Sequence, residues 1–434
     1  MRRIMLAATA LIGAQIFVAH AAEPVLTTDS FNSGLATGAT LPPGTVTVRF
    51  RALLTNEMSY ATDSFSRTTT AKNSGVLLGS YIRLYPKFDA MAANGLEYGA
   101  TLEARMNNGG PANTGSGNTI FWRRYNGYVG TRSAGRLFFG AENNALARLA
   151  SSTSMEDFDY HGGFNGDVPT AGNAGTALNF VSLRTSTWYT TNKLVYISPA
   201  YAGFSVGGSW EPSQTPGDAQ AANTFAATNV VGAQTSSFAG PLNLRRNTLD
   251  IAAQYKSSFG PFAVTSFVGY IQSGHVVDNS ATAATRQFKD LKVLAGGARV
   301  TYGPFAVGGT VNTGDIDANG GGSLIHQGNK RGLNMIAGAQ YIVGSVIIGF
   351  HYINNDTAGN FNPNFVRSNL HEIGVVVGGA YDWAPGAVLY TSFEYGQRHQ
   401  GGWNFGTAAA ATGNLKVGNS TQVRAIQVGN TFKW

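Results

Sequence analysis

Phe259-Gly260-Pro261-Phe262-Ala263-Val264 and Tyr302-Gly303-Pro304-Phe305-Ala306-Val307 are nearly the same six residues, each set between stretches that alternate apolar and polar side chains. Glycine and proline fix a tight chain reversal, and aromatic residues beside it suit a boundary between water and lipid. A hairpin written twice in this way points to an up-and-down β-barrel that spans a membrane. Weaker copies of the turn lie at Asn94-Gly95-Leu96, Ser133 to Leu137, Ala202-Gly203-Phe204, Val343-Gly344-Ser345-Val346 and Ala384-Pro385-Gly386-Ala387-Val388. The last four turn glycines, 260, 303, 344 and 386, recur about every 42 residues, which fits two strands of roughly ten residues and one longer loop. Seven turns join fourteen strands. A first strand at Thr45 to Asn56 and a last at Gln422 to Trp434 bring the expected number to sixteen, an even count that lets the sheet close without an edge.

The strands themselves carry a period of two. Val46, Val48, Phe50, Ala52 and Leu54 share one face and Thr45, Thr47, Arg49 and Arg51 the other; Val76, Leu78, Ile82 and Leu84 oppose Gly79, Tyr81 and Arg83. In the third strand Tyr98, Ala100, Leu102 and Ala104 oppose Glu97, Thr101, Glu103 and Arg105. A charge facing lipid at mid-bilayer costs about 2 to 4 kcal/mol, so the apolar set is expected outward and the charged set in the lumen. By the same alternation Arg124 points inward, and Arg123 takes the opposite phase, which would set it on the outer rim against solvent or lipopolysaccharide.

Composition agrees. The chain has 434 residues with 56 glycines, 11% aromatic and only 12% charged residues, and no cysteine, which removes disulfides and thiolate metal sites. Its formal charge of +7 is mild and dispersed, which argues against nucleic acid as a partner. Arg2-Arg3, an apolar run from Ile4 to Val18 and then Ala19-His20-Ala21 read as a cleavable secretory signal over residues 1–21, with the mature chain starting near Ala22. Residues 22–44 are expected to be a periplasmic extension and residues 45–434 the barrel.

The segment Arg124 to Gly130 with Gly135 to Glu142, the stretch Tyr196-Ile-Ser-Pro199 to Phe204, and a last strand with Ile426, Val428, Asn430, Phe432 and Trp434 on one face resemble the trimeric, sixteen-stranded general porins of Gram-negative outer membranes. The chain ends in Trp where that family usually has Phe, and Ala384 to Ala387 replaces its usual turn before the fifteenth strand. The resemblance implies a homotrimer exported to the outer membrane, where lipid and lipopolysaccharide surround it. It also implies that Phe432 and Trp434 act as a signal to the barrel assembly machinery, and that a third loop folds into the barrel. That loop corresponds to residues 143–191, and its acids Glu156, Asp157, Asp159 and Asp167 would face Arg49, Arg51, Arg83, Arg105 and Arg124 across the pore. Opposed charges would set a transverse field in a water-filled channel for passive diffusion of small hydrophilic solutes and ions. The alternative is a substrate-selective channel, for a sugar or an anion, with Tyr160, Trp188 and Tyr189 as a stacking track.

Enzymatic chemistry is not expected. There is no Gly-x-Ser-x-Gly elbow and no Walker loop, and His371-Glu372 has Val375 where a zinc motif needs its second histidine. Asp315, Asp317 and Asn319 match the first half of a calcium loop, yet His326 stands where the bidentate glutamate belongs, so no metal or other cofactor is expected. Residues 211–244, rich in Ala, Thr, Gln and Asn, form a long external loop of no legible role.

Overall fold

A computed structural model describes residues 43–63, 75–108, 120–153, 158, 160, 191–213, 246–273, 289–315, 331–357, 369–405, 409–410 and 419–434. The leader, most of the N-terminal extension, Glu156, Asp157, Asp159, Asp167, Trp188, Tyr189, Asp317 and Asn319 lie outside the described residues.

The chain forms one closed antiparallel barrel of sixteen strands. In chain order they are β1 (Val46–Asp63), β2 (Val76–Met91), β3 (Glu97–Asn108), β4 (Phe121–Thr131), β5 (Gly135–Glu142), β6 (Thr191–Ile197), β7 (Phe204–Ser213), β8 (Arg246–Phe259), β9 (Phe262–Gln272), β10 (Lys292–Tyr302), β11 (Phe305–Gly314), β12 (Gly332–Val343), β13 (Val346–Thr357), β14 (Leu370–Ala384), β15 (Ala387–Gln400) and the terminal strand Ser420–Lys433. Each pairs with its neighbours in sequence, and the terminal strand closes the ring between β15 and β1. All seven expected turns are present. Their glycines, Gly95, Gly135, Gly203, Gly260, Gly303, Gly344 and Gly386, all take positive φ between 52° and 85°, a backbone shape in which a Cβ is strained.

The first strand runs seven residues past Asn56, its expected end. Asn56 stands on the outer face, and the alternation resumes beyond it: Met58 and Tyr60 are exposed outward while Glu57 and Ser59 are buried inward. Along the ring the outward set is apolar as the pattern required, including Val76, Leu78, Ile251, Val268, Ile348, Phe350 and Val377. Near the short turns the same face carries aromatic pairs, Phe204 with Tyr255, Phe262 with Tyr302 and Phe305 with Tyr341, at ring separations of 4.6, 4.8 and 4.7 Å. Such a row of rings matches the aromatic girdle that marks a lipid headgroup level.

Closure is reinforced on the inner face. Thr55 and Thr431 share a hydroxyl hydrogen bond of 3.0 Å across the seam between β1 and the terminal strand. Tyr390 on β15 reaches over Gly429 of the terminal strand, where any Cβ would meet its ring at 2.2 Å, and donates its hydroxyl hydrogen to Glu57 Oε2 of β1 at 3.1 Å. A glycine in the middle strand therefore lets one tyrosine tie three strands together. The last residue takes part as well, with Trp434 and Ala52 exchanging backbone hydrogen bonds of 2.8 and 3.2 Å.

Orientation of the wall sets a direct test. Val377→Arg, at the middle of β14 on the outer face, is expected to destabilise the lipid-embedded barrel by about 2 to 4 kcal/mol. Val343→Arg, on the same face beside a turn, should cost about 0 to 1 kcal/mol. Urea unfolding in lipid vesicles measures both, and equal losses at the two depths would contradict the assigned lipid face.

Candidate pore constriction

The charged residues that alternation sends inward meet on the wall formed by β1 to β5. Arg49 on β1 and Lys87 on β2 both bond Asp89, which also accepts from the Tyr128 hydroxyl on β4. One strand further, Glu103 on β3 accepts from Arg105 Nε, from Arg123 Nη1 at 2.8 Å and from Arg124 Nε at 2.6 Å. Arg124 continues to Glu142 on β5, 3.4 Å away, whose other oxygen accepts from Asn126 Nδ2 at 2.7 Å and pairs with Arg148 at 2.9 Å. Arg83 lies opposite Arg105 in the β2–β3 register, with its guanidinium 4.7 Å from the Tyr81 ring centre. Arg51 is exposed and stands opposite Tyr85, in phase with Arg49. All five arginines expected to line the lumen therefore lie on this wall, and a file of carboxylates lies among them.

Arg123 does not stand on the outer rim. The β3–β4 register shifts between Glu103 and Ala104, so that Glu103 faces Arg124 while Ala104 faces Trp122. Arg123 is the extra residue of this bulge, and a bulge breaks the period of two. Two consecutive arginines thereby reach one glutamate, and the Arg123 side chain is buried.

The counter-ions Asp89, Glu103 and Glu142 were not singled out in the sequence. They carried a weak signal there, since Glu103 shares its face with Arg105 two residues on and Asp89 with Lys87. Burying ions is expensive, and the cost is offset here because each carboxylate accepts several charge-assisted bonds at once.

Across the lumen the wall receives the chain that follows β5. A short helix, Ala145–Ala150, is capped by Asn144, whose Oδ1 accepts from Ala147 N at 2.8 Å. It is tied to the inner face of β8: Asp250 accepts from Leu146 N at 2.9 Å and from the Ser209 hydroxyl, and Gln254 donates to the Leu149 carbonyl. Leu146 and Leu149 pack in an apolar cluster with Ala252, Phe267 and Ile271. Further along, Phe158 fills a pocket of Ala306, Ile336, Ile353 and Val376, and its carbonyl accepts from Gln340 Nε2 at 3.0 Å. Tyr160 joins Ile342, Ile347, Ala380, Val388 and Tyr390, with its ring 5.7 Å from that of Tyr390 and 5.1 Å from Lys433 Nζ. These partners belong to inward faces of β11 to β15, so the described residues between Asn143 and Tyr160 lie against the inner wall. Tyr160 is buried in its pocket, out of reach of a solute, and so does not serve the stacking track proposed for it. Its φ of 75° is strained for a residue with a Cβ and is held by this packing.

Asp315, the first residue of the calcium-like stretch, pairs with Lys289 at 3.1 Å and Arg331 at 3.9 Å, and no cluster of metal-ligand type occurs among the described residues.

Residues 7–401 match the model of the Gram-negative porin family. The chain belongs to that family. This porin is accordingly an integral outer-membrane channel protein rather than an enzyme. Its fold is similar to that of Salmonella typhi OmpF, solved in complex with daunomycin, at 12% identity and a TM-score of 0.57, covering 89% of this chain and 97% of that one. OmpT, an outer membrane protein of Vibrio cholerae, matches at 14% identity and a TM-score of 0.51, covering 91% and 100% of the two chains. A mutant of the Rh. blastica porin matches at 13% identity and 0.51, covering 89% and 100%. At such identities the likeness is one of fold. No curated protein matches the sequence.

Glu103 is the shared acceptor of the wall. Glu103→Ala leaves three guanidinium groups together without it, and the expected loss is about 3 to 5 kcal/mol. Glu103→Gln, which can still accept hydrogen bonds, should lose less. Thermal unfolding of the detergent-solubilised barrel gives the order, and an alanine variant as stable as the native porin would refute the assignment.

Proposed function

We propose that this porin is a water-filled channel for passive diffusion of small hydrophilic solutes and ions, narrowed by residues 143–191. The observation that carries this reading is the run of Leu146, Leu149, Phe158 and Tyr160 against inward-facing residues of β8 to β15, inside a barrel that carries its buried ion pairs on the wall of β1 to β5. The acids Glu156, Asp157, Asp159 and Asp167 are proposed to border the aperture on one side, with Arg49, Arg51, Arg83, Arg105 and Arg124 on the other. Because Asp89, Glu103 and Glu142 already neutralise part of the arginine wall, the field across the aperture is weaker than the count of arginines suggests. Polar solutes would be favoured over apolar ones of equal size because water ordered by the remaining field is costly to displace.

The Vibrio cholerae OmpT structure described as a trimer form and the apolar outer face support a homotrimer. Export by the N-terminal signal and recognition of Phe432 and Trp434 by the assembly machinery belong to the same proposal. Trp383 packs edge-on against Phe432 at 6.5 Å and Trp434 is exposed, which leaves the last aromatic accessible at the rim.

Purified protein in planar bilayers is expected to give stepwise conductance. Neutralising Glu156, Asp157 and Asp159 together should move the reversal potential in a salt gradient toward that of the anion. Absence of steps would overturn the channel reading, and an unmoved reversal potential would overturn the role of these acids. N-terminal sequencing of protein from outer membranes should begin near Ala22.

A further inference from the structure

Arg299 differs from the carboxylate-bonded arginines of the β1 to β5 wall. It lies on the inner face of β10 and is only 4% exposed, yet among the described residues no carboxylate bonds it and its Nη2 has no hydrogen-bond partner. Arg49, Arg105, Arg123 and Arg124 each sit on a carboxylate. What covers Arg299 is Phe158, with the guanidinium carbon 5.0 Å from the ring centre. The negative face of an aromatic ring attracts a cation and is worth most when water is excluded. That same ring is fully buried among Ala306, Ile336, Ile353 and Val376, and the backbone behind it is held by Gln340.

An uncompensated buried cation is stable only while the group that covers it stays in place. If Phe158 leaves its pocket, water reaches the guanidinium and a full positive charge joins the pore wall. We infer that Phe158 is a plug over Arg299, so that withdrawing its ring both widens the lumen and adds a hydrated cation to its wall. The channel then has two linked properties, cross-section and ion preference, which change in one movement. This inference rests on the diffusion-channel reading above and assigns a positioning role to Phe158 and a selectivity role to Arg299. Gly338 leaves room for the ring, since a Cβ there would lie 3.1 Å from Phe158 and 2.7 Å from the Phe350 carbonyl oxygen.

The test uses full-length protein in planar bilayers with a potassium chloride gradient. Phe158→Ala is expected to raise the unitary conductance and shift the reversal potential toward chloride. Phe158→Ala combined with Arg299→Met is expected to keep the raised conductance and lose the shift. Circular dichroism and heat modifiability on gels establish that each variant is folded. If Phe158→Ala does not fold, Phe158→Leu fills the pocket without a ring and should show the same chloride shift, again abolished by Arg299→Met. A folded Phe158 variant with native selectivity, or a shift that survives removal of Arg299, overturns the inference. Failure of the channel reading would look different, since the native protein itself would give no conductance steps.

Discussion

The constraint on which this structure depends is that a backbone amide inside a bilayer finds no water. In a chain that crosses as strands, every N–H and C=O within the hydrocarbon must be bonded by another strand, and only a closed sheet leaves none over. The seam between β1 and the terminal strand is therefore the joint that completes the molecule. Its inner side is reinforced by the Thr55–Thr431 bond and by Tyr390 lying across Gly429 to Glu57. The residues at the two ends of the barrel sequence thus carry as much structural weight as any in its middle.

Closure also decides where charge can go. With lipid on the outside, most ionisable residues of the sixteen strands are driven into one enclosed space, where guanidinium and carboxylate groups must satisfy one another. On β1 to β5 they form two groups, Arg49 and Lys87 on Asp89, and three arginines on Glu103, one of which, Arg124, continues to Glu142, where Arg148 of the short helix also binds. The wall is basic in excess, but its strongest bonds are internal to it. Its rigidity follows from the same bonds, because moving one arginine would expose a carboxylate shared with others.

The segment after β5 meets a different surface. On β8 to β15 the inner face offers isolated polar hooks, Asp250, Gln254 and Gln340, between apolar pockets. Each hook takes a backbone group of the entering chain and each pocket a side chain. The barrel thus carries a bonded wall on one part of its inner face and a docked segment on another.

Much of this was legible in the sequence, for reasons that are local. A strand's period of two sorts lipid-facing from lumen-facing residues, and a turn that needs positive φ leaves a glycine, so the seven turns, the count of sixteen and the inward direction of Arg49, Arg83, Arg105 and Arg124 could be read from order alone. The length of β1 could not, because Asn56 is a polar residue on the outer face and looks like an end. Nor could the place of Arg123, since a bulge depends on how two strands slide against each other and leaves no periodic trace in either. The sharing of Glu103 by three arginines, the burial of Tyr160 and the pairing of Arg299 with Phe158 join residues as far apart in the chain as Tyr160 and Tyr390 and were decided only when the ring closed. Alternation is a property of one strand in lipid; who meets whom across the lumen is a property of the whole barrel.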